Sequence, residues 1–137
     1  MAANAGASYG RRVDQAARLV AFVGSTNLDR SRAFYQSVLG LTLVDHNPGA
    51  VVFVRDGTTL RVSKVPAIVA AAYTVLGFVV DDIASDIAAL TSRGVQFVRY
   101  PQLDQDEHGV WTTPGGEFVA WFNDPDDNLL SLTQRAR

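Results

Sequence analysis

The sequence predicts an α+β fold of two tandem β-α-β-β-β modules, and three observations carry that expectation. Strand-length apolar runs and an amphipathic helix follow one another in the same order twice. Each helix closes at a glycine, Gly40 in the first half and Gly94 in the second. The helix-start pairs Asn27-Leu28 and Asp82-Ile83 recur at an offset of 55, and the two glycines at 54, so one helix is a residue longer.

Taken in order, Leu19 to Val23 is an apolar run of strand length that ends at Gly24-Ser25. Thr26 is expected to cap the helix that follows, with Asp29 three residues on completing a capping-box-like start at the positive end of the helix. Leu28, the stem of Arg32, Tyr35, Val38 and Leu39 recur at three- and four-residue steps and form one buried stripe. Strands are expected at Leu41 to Asp45, Ala50 to Arg55 and Thr58 to Val65, separated by Asn47-Pro48-Gly49 and Asp56-Gly57 turns. In the second half Tyr73 to Val80 reads as a strand, Asp81 or Asp82 as a cap, and Ile83, Ile87 and Leu90 as one helix face. Val95 to Val98 reads as a further extended segment, and Pro101 to Gly116 as a long polar stretch. Glu117 to Asn123 and Asn128 to Gln134 form a closing hairpin. Ahead of all this Val13 to Arg18 has a weak helical pattern.

The length of 137 residues suits one domain, expected at residues 18–137, with module one at about 18–66 and module two at about 72–135, behind a flexible tail at 1–17. Neither module, at about 50–60 residues, would bury much surface alone, so the two are expected to pack as one unit. A net charge of −2 gives no general attraction to nucleic acid or to an anionic membrane, and neither is an expected partner. No run approaches the roughly 18–20 apolar residues of a membrane helix, and the N-terminus lacks an apolar signal core, which implies a cytoplasmic protein. Eleven arginines against one lysine fit a GC-rich bacterial genome. The absence of cysteine removes disulfides, thiolate nucleophiles and thiolate metal sites. Twelve of the fourteen acids are Asp, which leaves Glu107 and Glu117 as the only glutamates.

The segment Asn27 to Tyr35, the helix end Val38-Leu39-Gly40-Leu41 and the turn Phe122 to Leu130 resemble the vicinal-oxygen-chelate superfamily of glyoxalases, bleomycin-resistance proteins and extradiol dioxygenases. The resemblance covers roughly Leu19 to Gln134 and implies that the two modules form a cup. In the hairpin turn the family usually has glycine where this chain has Asp127, a residue that tolerates the left-handed backbone better than most. Metal-dependent members place one His or Glu on each of four strands. Carried over by spacing, those positions fall on Val20, Arg61, Val75 and Ser131, with Asp45 and His46 the nearest alternatives. Two valines offer no donor and a guanidinium repels a cation, so no metal and no cofactor are expected at the usual site. The run Asp104, Asp106, Glu107, His108 lacks ordered ligand spacing and reads as a solvated loop. No nucleophile elbow and no phosphate loop is present.

A cup based on Val20, Val75, Ser131 and Arg61 is mostly apolar and holds one positive charge. A buried guanidinium needs an anion; the source is either an internal Asp, with exposure of the head to water as the other escape, or a carboxylate, phosphate or enolate oxygen of a ligand. Trp111, in the polar loop with no evident strand to pack into, is the aromatic most suited to fold over the cup or a partner; Trp121, Tyr100, Phe53 and Phe122 fit a core better. That loop is long enough to act as a lid. The leading expectation is therefore a metal-independent protein that binds a small anionic or aromatic molecule and works as a homodimer, a state implied by the resemblance. The alternatives are an enzyme of the same superfamily, a lyase, isomerase or dioxygenase that is metal-free or has displaced ligands, and an interaction module with a vestigial cup.

Overall fold

The computed structural model describes residues 12–137. The expected tail at 1–17 lies mainly outside them, and Val13 to Arg18 form no helix, only a turn closed by the Ala17 amide on the Asp14 carbonyl at 2.9 Å. Eight strands follow in two four-stranded sheets: β1 (Val20–Ser25), β2 (Thr42–Asn47), β3 (Ala50–Arg55) and β4 (Thr58–Lys64) in module one, and β5 (Leu76–Val79), β6 (Trp111–Thr112), β7 (Phe118–Asn123) and β8 (Leu129–Gln134) in module two. The orders are β1-β4-β3-β2 and β5-β8-β7-β6. β1 and β5 each run parallel to the last strand of their module, which is the β-α-β-β-β pattern written twice. Among the described residues no helix is long and apolar enough to cross a membrane.

Helix α1 (Leu28–Ala33) continues into a wider, π-helical turn (Phe34–Val38) in which the Leu39 amide bonds the Phe34 carbonyl five residues back, at 3.0 Å. Its cap is Asn27 rather than Thr26: the Asn27 Oδ1 accepts from the Arg30 amide at 3.0 Å. Thr26 is diverted because its hydroxyl donates to Asp126, across the module boundary, at 2.6 Å. Gly40 and Gly94 close the two helical segments with φ of 77° and 93°, a backbone that only glycine adopts without strain. Helix α2 (Ile83–Ser92) is capped by Asp82, whose carboxylate accepts from the Ser85 amide and hydroxyl.

Side chains that face the helices make one core. Val51, Phe53 and Val62 from sheet one and Ala120, Phe122 and Leu130 from sheet two are fully buried, together with Tyr35 of the π turn and Ile83, Ile87 and Leu90 of α2.

Three expected elements differ. The strand expected at Tyr73 to Val80 is confined to β5, with Val75 contributing one further bond, from its amide to the Leu129 carbonyl. Val95 to Val98 is not a strand: it meets β7 only at the Phe97–Phe122 bridge and through the Val98 amide. The side chain of Gln105 occupies its outer edge, donating to the Val98 carbonyl at 3.0 Å and accepting from the Tyr100 amide at 2.6 Å. An amide side chain thus stands in for the neighbouring backbone, and the fourth strand is supplied later, by β6. The polar stretch is also tied down, since Asp106 accepts from the His108 and Val110 amides at 2.9 Å and Gln105 reaches the Gly109 carbonyl at 2.8 Å.

Asp127 sits in the β7–β8 turn with φ of 64°, as its place in the motif requires. Its side chain makes no hydrogen bond among the described residues. Asp127→Gly should therefore leave the turn intact and raise stability by up to about 1 kcal/mol as strain is relieved, measured as a higher urea midpoint.

Candidate functional site

The five residues singled out in the sequence fall on the sheet faces opposite the core. In sheet one the register pairs Val20 with Thr59 and Phe22 with Arg61, and Arg61 with Val52. Val20 and Arg61 therefore share a face, with Phe22 and Val52 beside the guanidinium stem. In sheet two Ser131 lies opposite Gly77 on one side and Trp121 on the other, and Val75, two residues before Gly77, shares that face. Ser131 is buried because glycine at position 77 leaves it room: a Cβ there would sit 2.9 Å from the Ser131 Oγ.

Trp111 is not a loop residue. It belongs to β6 opposite Val119, and its indole stacks on that of Trp121, with centroids 6.2 Å apart and an interplanar angle of 29°. Tyr100 packs edge-on against Trp121 at 5.3 Å. The expectation that Trp111 had no strand to pack into failed because a two-residue strand leaves almost no periodic signal. The result is a half-buried aromatic wall beside Ser131 on the open face of sheet two.

Arg61 is half-buried and has no carboxylate within 4.0 Å and no hydrogen-bond partner among the described residues. Of the two sources of an anion, an internal Asp is not used. The faces themselves are open: Phe22 is 63% exposed and Val79 62% exposed, both on strands at sheet edges. His46 lies off this face, with its Nδ1 3.0 Å from Arg32 and its Nε2 3.7 Å from Asp29. No three His, Asp or Glu side chains converge among the described residues, the 104–108 run included.

A second polar constellation escaped the sequence reading. Asp124 is buried and accepts from the Tyr35 hydroxyl at 2.6 Å, the Asp126 and Asn128 amides at 2.9 Å and the Asn128 side chain at 2.8 Å. Asn128 also donates to the Gly24 carbonyl at 2.9 Å. Asp126, its side chain only 3% exposed, takes Thr26 and the Arg30 guanidinium, the latter at 2.9 Å. The turn of module two thus clamps the first turns of module one. Partial burial works against the charged form of Asp126, but the bonds from the Thr26 hydroxyl and amide, followed by the Arg30 charge, outweigh it and hold the carboxyl below its usual value. A group depressed in the folded state stabilises fully above its unfolded value, about pH 4, and loses that contribution as pH falls through the depressed one. Asp126→Asn should cost about 1–2 kcal/mol at neutral pH, and its deficit should shrink below about pH 4 in urea unfolding followed across pH.

A sequence model of the Glyoxalase/Bleomycin resistance protein/Dioxygenase superfamily matches residues 12–132. The chain belongs to that superfamily. Solved structures of other members carry the same fold. TnmS3, an antibiotic-binding protein from Streptomyces sp. CB03234, is 23% identical with a TM-score of 0.70 over 91% of this chain and 100% of that one. A superfamily member from Sphaerobacter thermophilus DSM 20745 is 24% identical with a TM-score of 0.68 over 88% and 98% of the two chains. A lactoylglutathione lyase from Agrobacterium tumefaciens is 18% identical with a TM-score of 0.68 over 87% and 93%. No curated protein gives a significant match to the sequence. At these identities the superfamily neighbours establish the fold alone.

Proposed function

We propose that this superfamily member binds a small molecule without a metal, in a cup completed by a second copy of the chain, with Arg61 receiving an anionic group of the ligand. The observation that carries the reading is Arg61 itself, a cation on an open, mostly apolar sheet face with no carboxylate among the described residues near enough to neutralise it. Its forked donors suit a carboxylate or phosphate. The donor set Val20, Arg61, Val75 and Ser131 has neither imidazole nor carboxylate, so the positions that would hold a divalent ion in metal-dependent relatives are chemically unsuited to one. Trp111, backed by Trp121, supplies a flat wall for an aromatic portion of the ligand.

The homodimer rests on the two edge strands. Val20 and Phe22 on β1, and Val75 and Val79 around β5, are exposed apolar side chains beside the unpaired backbone of two sheet edges, surfaces that are ordinarily covered. A second copy that brought its β5 face to β1 would cover both and set Arg61 across from Ser131 and Trp111. TnmS3, an antibiotic-binding protein, is a precedent for small-molecule binding on this fold.

Thermal-shift titration with a panel of aromatic and aliphatic carboxylates tests the reading. A carboxylate that binds should raise the apparent melting temperature by mass action, and Arg61→Ala should weaken it by about 10–100-fold, the worth of one charge-assisted hydrogen-bonded pair. Equal shifts in wild type and variant would remove Arg61 from the site. Stoichiometric zinc, nickel, iron or manganese in protein purified without chelator would overturn metal independence.

A further inference from the structure

We propose that the crevice between the two modules is a second binding site, distinct from the Arg61 and Trp111 positions, and that it takes an uncharged, apolar small molecule. The crevice lies at the end of the module boundary away from the Asp124–Asp126 clamp. β1 lines the crevice with Ala21 and reaches the clamp at its other end, where the Gly24 carbonyl accepts from Asn128 and the next residue past the strand, Thr26, donates to Asp126. The modules are therefore pinned at one end and stand apart at the other.

The space measures about 560 Å³, within the range of about 300–1,000 Å³ typical of small-molecule sites. Its walls are Ala21, Val38, Leu39, Leu76, Phe78 and Val80, and all six are half-buried side chains at the margin of the core. Apolar atoms facing an unfilled space lack dispersion partners on that side, and an apolar occupant restores them. The rim carries Arg55 and Arg93 against Asp56 and Asp86, and Arg55 is already engaged with the Gly40 carbonyl at 2.8 Å. Two cations balanced by two anions give no net field to select an ionised ligand, and the floor offers no free charge to pair with one. An uncharged occupant fits both facts.

None of Val20, Arg61, Val75, Ser131 or Trp111 lines this space, which shares with the proposed cup only Gly77 and Val79 on the β5 edge. The probe is N-phenyl-1-naphthylamine, a neutral aromatic whose fluorescence rises in apolar surroundings, titrated into the full-length protein. Saturable binding of one probe per chain is expected. Ala89→Phe fills the crevice from α2, where Ala89 is half-buried, and should weaken binding about tenfold or more. Thr58→Trp narrows the mouth from an exposed rim position that cannot disturb the core, and should act in the same direction even if Ala89→Phe fails to fold. Absence of saturable binding, affinity unchanged in Thr58→Trp, or affinity lost in Arg61→Ala, which would place the probe on the open face, each overturns the proposal. So does a change of oligomeric state in Thr58→Trp without probe binding, because the crevice would then be covered by a second copy.

Discussion

Asp124→Ala is expected to lower the unfolding free energy by about 3–5 kcal/mol, the cost of stranding the buried donors that converge on one carboxylate. Four donors lose their acceptor at once: the Tyr35 hydroxyl, the Asp126 and Asn128 amides and the Asn128 side chain. Water cannot replace it at a position only 4% exposed. Urea denaturation reads the loss directly. Tyr35→Phe should cost less, about 1–2 kcal/mol, because Asp124 keeps its other three partners. The double variant should show a coupling of about 1–3 kcal/mol, since the two groups share one bond. Values that simply add would mean that the Tyr35–Asp124 bond contributes nothing to holding the two modules together.

The same pair sets an alkaline limit. Burial, and after it the neighbouring Asp124 carboxylate, drives the Tyr35 phenol far above its usual value. Above about pH 10 the unfolded chain gives up that proton while the native chain keeps it, so stability falls with rising pH. Tyr35→Phe should flatten that part of the pH profile.

On the proposed function, Phe22→Asp is expected to convert the dimer to a monomer and to abolish carboxylate binding, to which the new carboxylate beside Arg61 also contributes, while the monomer stays folded. Phe22 is 63% exposed, and substitutions at such positions usually change stability by within about 0.5 kcal/mol. A buried charge facing the apolar edge of a second copy would cost several kcal/mol, enough to remove association at micromolar concentration. Val23, next in sequence but 6% exposed and turned to the core, provides the contrast: Val23→Asp should unfold the chain. Sedimentation velocity with circular dichroism separates the two. A Phe22→Asp protein that sediments as wild type would remove the shared cup.

What could be read in advance was local. Gly40 and Gly94 announce themselves because a positive φ restricts residue choice, Asp127 is marked only by the resemblance, and β3 was legible to the residue because Arg55-Asp56-Gly57 ends it with a turn. The helix cap was misplaced by one residue because the hydroxyl of Thr26 is claimed by Asp126, 100 positions away, a distance at which one sequence carries no pairing signal. Val95 to Val98 has the composition of a strand, but its edge is taken by the Gln105 side chain, and composition does not record which edge is free. At the candidate site, Val20, Arg61, Val75 and Ser131 were reached through the resemblance to the superfamily and not through alternation, and the strand register then puts Val20 on one face with Arg61 and Ser131 opposite Gly77. The Trp111–Trp121 stack depends on a two-residue strand, and the Tyr35–Asp124 bond on tertiary approach alone, so neither had a periodicity to reveal it.

The parallel pairing of β1 with β4, and of β5 with β8, also bears on the order in which the chain can fold. The antiparallel pairs of each sheet join consecutive strands and can form locally, but each module's first strand waits for its last, and that docking carries the loop-closure entropy. During synthesis Tyr35 is made 89 residues before its acceptor Asp124. Sheet one can pair without module two, but until that turn leaves the ribosome the Tyr35 hydroxyl lacks its acceptor.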